Sequence, residues 1–176
     1  MAQTFTVGTG QTMTQAATAI EPADYRRVLG HYPTGVAAIT STGTDGAPLV
    51  LVVGTFTSVS LDPPLVGFLP TSTSASWQAI AATGKFAVNV LGSDQAALCG
   101  QLAGRGDKFA GVEYALSEDG LPLLTGALIT IEADISATLP AGDHDFVLGA
   151  VRRMNVGREG DPLLFHRGNY GGFAAL

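Results

Sequence analysis

At 176 residues the chain fits one domain, with a core large enough to cover most of its unfolded surface. Hydrophobic residues make up 46% and charged residues 14%, with a formal charge of −6 and only two lysines, Lys85 and Lys108. That balance argues against nucleic acid and anionic membranes, which demand clustered positive charge, and the sparse charge points to apolar surface hidden in an oligomer.

The first twenty residues carry no Lys or Arg and no continuous apolar run. They read as neither a signal peptide nor a membrane span. The expectation is a loose Thr/Gln-rich arm over 1–22, then one domain over 23–176, in a cytoplasmic protein. Glu21-Pro22-Ala23-Asp24 marks a helix start, with acids and a proline in the first turn, and the helix runs from about Ala23 to Gly30. Pro33-Thr34-Gly35 ends it. Val36–Thr40 and Pro48–Val53 are β-rich, with Thr44-Asp45-Gly46 as the turn between them.

Phe56–Leu61 and Leu65–Leu69 are further strands, broken by Asp62-Pro63-Pro64. Prolines remove backbone donors, so this break reads as a corner between two strands. A hydroxyl-rich loop, Thr71–Ser76, leads into a short helix, Trp77–Thr83, capped by Ser74 or Ser76. Phe86–Leu91 is a strand and Gln95–Leu102 a second short helix. Two long strands, Ala127–Thr138 and Asp145–Val156, flank a loop over 139–144, and Leu163–Arg167 precedes a Gly-rich tail, Gly168–Gly172. No helix falls between successive strands at the spacing a parallel crossover needs. A mainly β domain follows, a closed antiparallel barrel with two or three short peripheral helices.

Familiar catalytic patterns are missing. There is no Gly-rich dinucleotide or phosphate-loop fingerprint, no His-Glu-x-x-His and no Gly-x-Ser-x-Gly elbow. His31, His144 and His166 are scattered, so no metal site is expected, and Cys99 reads as a small core hydrophobe. Three loops stand out. Thr71–Ser76 is either a neutral anion cradle or an ordinary polar loop with a capping serine. Gly142-Asp143-His144 is either a hairpin corner or a histidine oriented by its neighbouring carboxylate. Arg105-Gly106-Asp107-Lys108-Phe109 collects two of nine cations in one loop, as an anion clamp or a solvated turn.

In order along the chain stand Tyr25-Arg26-x-Val28-Leu29-Gly30-x-Tyr32-Pro33-Thr34-Gly35-Val36, Phe56–Val66, Ser76-Trp77-x-x-Ile80 and Gly84–Leu91. Asp107-Lys108-Phe109-Ala110-Gly111, then Gly142-Asp143-His144 with Leu148-Gly149-x-Val151, and Pro162–Phe165 with Arg167-Gly168-x-Tyr170 complete the series. With these words, over residues 24–173, the chain resembles the flavin reductase-like proteins. These are FMN-binding split barrels that include the reductase components of two-component flavin monooxygenases.

The resemblance implies a split antiparallel β-barrel of Greek-key type, paired as a homodimer. It implies a flavin, FMN or FAD, and NADH or NADPH as co-substrate, with reduced flavin passed to a separate monooxygenase. The flavin ring is then expected against Val52, Val53, Gly54 and Thr55, near Ser58 and Ser60. Its phosphate is expected at Thr73, Ser74 and Ser76, helped by Arg105 and Lys108 with Phe109 beside them. His144 is expected near the nicotinamide, and Phe173 or Tyr170 approaches from the tail. Where many members carry Gly-Met-Thr-x-Asn, this chain has Val50-Leu51-Val52-Val53-Gly54, and Ser72 stands where a lysine is frequent. Both departures imply weaker or more exchangeable flavin binding, with Gly54 permitting close approach of a ring. A flavin carrier without turnover, or an oxidase of a pyridoxine-phosphate-like substrate, fits the same resemblance. Hydride transfer from nicotinamide to flavin needs no protein nucleophile, which accounts for the missing triad.

Overall fold

A computed structural model of the chain describes the backbone of residues 5–7 and 11–13 and all of residues 20–175. The chain forms two units, Met1–Tyr32 and Pro33–Leu176. In the first, β1 (Phe5–Val7) pairs antiparallel with β2 (Gln11–Met13), and α1 (Pro22–Leu29) follows. Pro22 sits in the first turn of α1, where its missing N–H is no loss, and Asp24 pairs with Arg27 one turn on (3.0 Å). Most of the arm expected over 1–22 lies outside the described residues.

The second unit carries the expected mainly β architecture. Its elements are β3 (Thr34–Gly35), β4 (Ala37–Thr42), β5 (Pro48–Val53), β6 (Thr57–Ser60), β7 (Leu65–Phe68), α2 (Ala75–Ala81), β8 (Lys85–Val90) and α3 (Ala96–Ala103). Then come β9 (Tyr114–Leu116), β10 (Pro122–Leu124), β11 (Ile129–Ala141), β12 (His144–Val156), β13 (Leu164–His166) and β14 (Asn169–Gly171). Seven strands form one antiparallel sheet in the order β5-β4-β8-β11-β12-β7-β6. Its two edge strands, β5 and β6, are consecutive in the chain and joined by only Gly54, Thr55 and Phe56. The sheet therefore curls until the end of β5 and the start of β6 come together, with no ladder between the two strands among the described residues. Thr55 Oγ1 ties the junction, accepting from Leu69 N–H (2.9 Å) and donating to Leu69 C=O (3.2 Å).

Both faces of the inner strands are buried, which is why they read as unbroken apolar runs rather than alternating ones. One face sends Ile39, Phe68, Phe86, Val88 and Val147 into a core closed by Trp77 and Ile80 of α2. There the Phe68 ring meets Trp77 and Phe86 edge-on, at 5.7 and 5.2 Å. The other face packs Val36, Ala38 and Val50 against Cys99 and Leu102 of α3. Asn89 is fully buried between them and satisfied: its amide donates to Ala38 C=O (3.2 Å) and Thr40 Oγ1 (3.0 Å), and its oxygen accepts from Leu124 N–H (2.8 Å).

Three expectations need correcting. The stretch 139–144 is not a loop: β11 and β12 run to a two-residue turn, Gly142-Asp143, with Ala141 opposite His144 and Gly142 at φ 74°. Beyond Ile135, whose N–H still donates to Gly84 C=O (2.9 Å), β11 has no ladder partner on the β8 side among the described residues, so Pro140 costs no ladder bond there. The Gly-rich tail, given no element from the sequence, holds a strand: β14 pairs with β13, which in turn pairs with β3. The hairpin of β9 and β10 was not anticipated, its three-residue strands being too short for an alternation to show. The Asp62-Pro63-Pro64 corner does join β6 to β7, as the prolines imply, and the Asp62–Pro63 bond is cis.

Candidate functional site

The site grows from the edge of the sheet. As an outermost strand, β5 has every second N–H and C=O directed away from any strand partner. At its C-terminal end Leu51, Val52, Val53, Gly54 and Thr55 line a cleft of about 250 Å³, shared with Leu69, Pro70, Thr71, Ser74 and His144. At its N-terminal end Pro48, Leu49 and Val50 line a second cleft of about 290 Å³, with Ser76, Asp107, Lys108 and Phe109 opposite. Ser74 and Ser76, two residues apart at the start of α2, each face one of the two clefts.

Long-range hydrogen bonds hold the first cleft together. The chain after β7 lies against the tip of the β11–β12 hairpin: Ser72 N–H and Oγ both donate to Asp143 C=O (3.1 Å each), and Asp145 N–H donates to Pro70 C=O (3.0 Å). Trp77 Nε1 donates to Asp145 Oδ2 (2.8 Å), locking α2 to the same hairpin. Ser74 caps α2 by accepting from Trp77 N–H (3.3 Å).

His144 is thereby fixed at both ring nitrogens. Nδ1 lies 2.7 Å from Asp143 Oδ1, and Nε2 lies 3.4 Å from Thr71 Oγ1. The hydrogen bond from His144, and then the charge on its ring, hold the Asp143 carboxyl below the ordinary carboxylate range. The imidazole is therefore presented to the cleft with its orientation set by a neighbour, as its Gly-Asp-His setting allows.

The second cleft has the only lysine near either site. Lys108 Nζ reaches Ser76 Oγ (3.5 Å) and makes no ion pair among the described residues. Its loop is braced by Gln101, whose amide donates to Lys108 C=O (3.2 Å) and Ala110 C=O (2.8 Å). By contrast Arg27, Arg152, Arg153 and Arg158 are each committed to a carboxylate. An uncommitted ammonium beside a hydroxyl is suited to an anion.

Of the residues singled out from sequence, the structure brings Val52, Val53, Gly54, Thr55, Ser74 and His144 into one cleft, and Ser76, Lys108 and Phe109 into its neighbour. Thr73 is exposed and lines neither. Ser58 and Ser60 lie on β6, the far edge strand, outside both linings. Arg105 is exposed on its loop and also lines neither. Tyr170 stands in a third cleft, its Oη accepting from Cys99 Sγ (3.2 Å). Gly54 is exposed at the cleft, and a Cβ there would stand 2.7 Å from Thr34 Oγ1, so the glycine also makes room for Thr34 behind it. From sequence alone Thr71 reads only as part of the hydroxyl-rich loop; its place beside His144 depends on a bridge between residues far apart in the chain.

Comparison with known proteins gives the family. The flavin reductase like domain family matches residues 29–174. The chain is 49% identical to a flavin reductase of Pseudomonas putida over 159 residues, 90% of this chain and 94% of that protein. It is 45% identical to the flavin-dependent monooxygenase reductase subunit HsaB of Rhodococcus jostii over 158 residues, 89% of this chain and 80% of that one. Among solved structures, the Streptomyces globisporus NADH:FAD oxidoreductase SgcE6, in complex with NAD and FAD fragments, superposes with a TM-score of 0.82 at 34% identity. That match covers 90% of this chain and 98% of the other. On sequence and fold together, the chain belongs to the flavin reductase like domain family.

Proposed function

We propose that this protein is an NAD(P)H:flavin oxidoreductase that reduces FMN or FAD and releases the dihydroflavin to a separate flavin-dependent monooxygenase. The observation that carries the reading is the meeting of the open β5 edge, Ser74 and the Asp143-oriented His144 in one cleft, with Lys108 and Ser76 in the next cleft along the same strand. The donor set fits a flavin. A flat ring with a hydrogen-bonding edge suits unpaired strand amides, and its phosphate suits an uncommitted lysine beside a hydroxyl.

A bound flavin would supply the redox chemistry, as acceptor of the hydride of the reduced nicotinamide. The chain supplies position. Val52–Thr55 offer a wall of backbone and aliphatic side chains, and Lys108 with Ser76 anchors the phosphate end. His144 donates or accepts one hydrogen bond at the mouth where the nicotinamide amide arrives. Its Nδ1 is held by Asp143 (2.7 Å), and Nε2, engaged only by the long 3.4 Å contact with Thr71 Oγ1, exchanges that partner for the incoming amide, which favours the reactive geometry. Only modest clefts and one free lysine support an exchangeable flavin, as release to a partner enzyme requires. The exposed Leu61, Met154 and Val156, in so sparsely charged a chain, support a homodimer. The need for reduced nicotinamide supports a cytoplasmic setting.

The test is direct: purified protein is mixed with NADH or NADPH and with FMN or FAD, and the loss of nicotinamide absorbance is followed. Flavin-dependent oxidation well above the uncatalysed rate is expected for at least one pair. No such rate with any pair removes the proposal.

A further inference from the structure

The β13–β14 hairpin closes on a turn its sequence does not favour. Arg167 occupies the left-handed region, at φ 51°, and Gly168 follows at φ 81°. In a two-residue hairpin turn those positions prefer Asn, Asp or Gly, because a Cβ there crowds the next carbonyl. Strain retained at such a place directs attention to the side chain it carries. The Arg167 guanidinium has no hydrogen bond and no carboxylate partner among the described residues.

Arg167 overlooks the largest of the described clefts, about 600 Å³, lined chiefly by Pro33, Leu164, His166, Arg167, Asn169 and Tyr170. One wall is a fixed aromatic face. Cys99 Sγ donates to Tyr170 Oη (3.2 Å), and the Phe165 ring leans on Tyr170 at 5.5 Å. The cleft adjoins the flavin site through β3: Pro33 lines it, and the next residue, Thr34, packs against Gly54 at the rim of the β5 cleft. A flat aromatic wall suits a nucleobase, and a free guanidinium with a nearby imidazole suits phosphate oxygens.

Resting on the reductase reading, we propose that this cleft takes the adenylate half of a dinucleotide, with Arg167 on its phosphate and Tyr170 beside the adenine. Both NAD(P)H and FAD carry that half, whereas FMN does not.

The experiment uses the full-length protein and Arg167→Gly, a change that relieves the turn and so leaves the melting temperature unchanged or raised. Calorimetric titration with 5′-AMP, which needs no turnover, is expected to show saturable binding that weakens about tenfold in the variant, as loss of a charged hydrogen bond does. Steady-state assays then separate the sources. If the nicotinamide dinucleotide is the occupant, KM for NADH rises about tenfold while KM for reduced nicotinamide mononucleotide stays put. If FAD is the occupant, its Kd rises and that of FMN does not. Equal AMP affinity in both proteins, or no change for either dinucleotide, overturns the proposal. Oxidation of NADH with FMN by the unaltered protein tests the reductase reading separately, so the two failures are distinguishable.

Discussion

Replacing Gly149 by Ala tests how tightly the barrel that carries the site is closed. Gly149 lies in β12, opposite Ile135 on one side and Val66 on the other. A Cβ built there runs into Phe86: it meets Cζ in outright overlap, Cε1 at 2.9 Å and the Ala133 Cβ at 3.0 Å. Phe86 is fully buried and wedged edge-on against Phe68 at 5.2 Å, so its ring has nowhere to retreat. Overpacking a well-filled core costs about 1–3 kcal/mol, and a trapped ring places this change near the upper end, about 3 kcal/mol. For a chain of this size each kcal/mol moves the melting temperature by about 2–4 °C, so a drop of about 6–12 °C is expected. Urea unfolding at fixed protomer concentration measures it, with the midpoint falling and the slope unchanged. Phe86→Leu vacates the colliding ring atoms, so the double variant loses less than the sum of the singles, by at least about 1 kcal/mol. A Gly149→Ala loss below about 1 kcal/mol, or strict additivity with Phe86→Leu, refutes the packing argument.

His144→Ala is expected to raise KM for NAD(P)H about three- to tenfold, the worth of one hydrogen bond, while flavin Kd changes little; an unchanged KM removes the histidine from the site. Because the Asp143 carboxyl is held low, its contribution to orienting His144 is present above its ordinary value and is lost as pH falls through the depressed one. KM for NAD(P)H should therefore rise on that acidic limb, and Asp143→Asn should abolish the rise. Lys108→Ala is expected to weaken FMN about tenfold and riboflavin hardly at all, whereas Arg105→Ala, outside both clefts, should move neither in a fluorescence titration; equal losses for FMN and riboflavin would show that Lys108 does not read phosphate. The hydrogen bond with Cys99, then partial burial, raises the Tyr170 phenol to about 12. Since a raised phenol pKa favours the folded state below its ordinary value near 10 and loses that contribution as pH climbs toward 12, Cys99→Ala should bring one tyrosine titration down toward 10 by phenolate absorbance.

Much of the barrel could be read along the chain because its strands announce themselves locally. Val36–Thr40, Pro48–Val53 and Phe86–Leu91 are apolar runs bounded by Gly or Pro, and the structure buries both of their faces. The Asp62-Pro63-Pro64 corner was equally plain, since prolines leave few alternatives to a turn at a sheet edge. The weak points were the short β9, β10 and β14, whose three residues establish no period, and the hairpin tip at 139–144, where Pro, Gly and Asp resemble any loop. Their pairing is set by partners distant in sequence.

The same division holds for the site. Residue type and order marked the loops that carry the polar groups to watch, Ser74, Ser76, Lys108 and His144, and the resemblance to flavin reductase-like proteins supplied the expectation that Val52–Thr55 lie against a cofactor. Only the tertiary structure decided which of these meet. The bridge between Thr71 and His144 brings a loop and a hairpin tip together across more than seventy residues, and the curl of the sheet lays β5 open along two clefts. It also left Ser58, Ser60, Thr73 and Arg105 outside those clefts and carried Tyr170 to another. Local periodicity records which face a residue takes; it holds no record of which distant strand end will lie beside it, because that is fixed by the packing of the whole sheet.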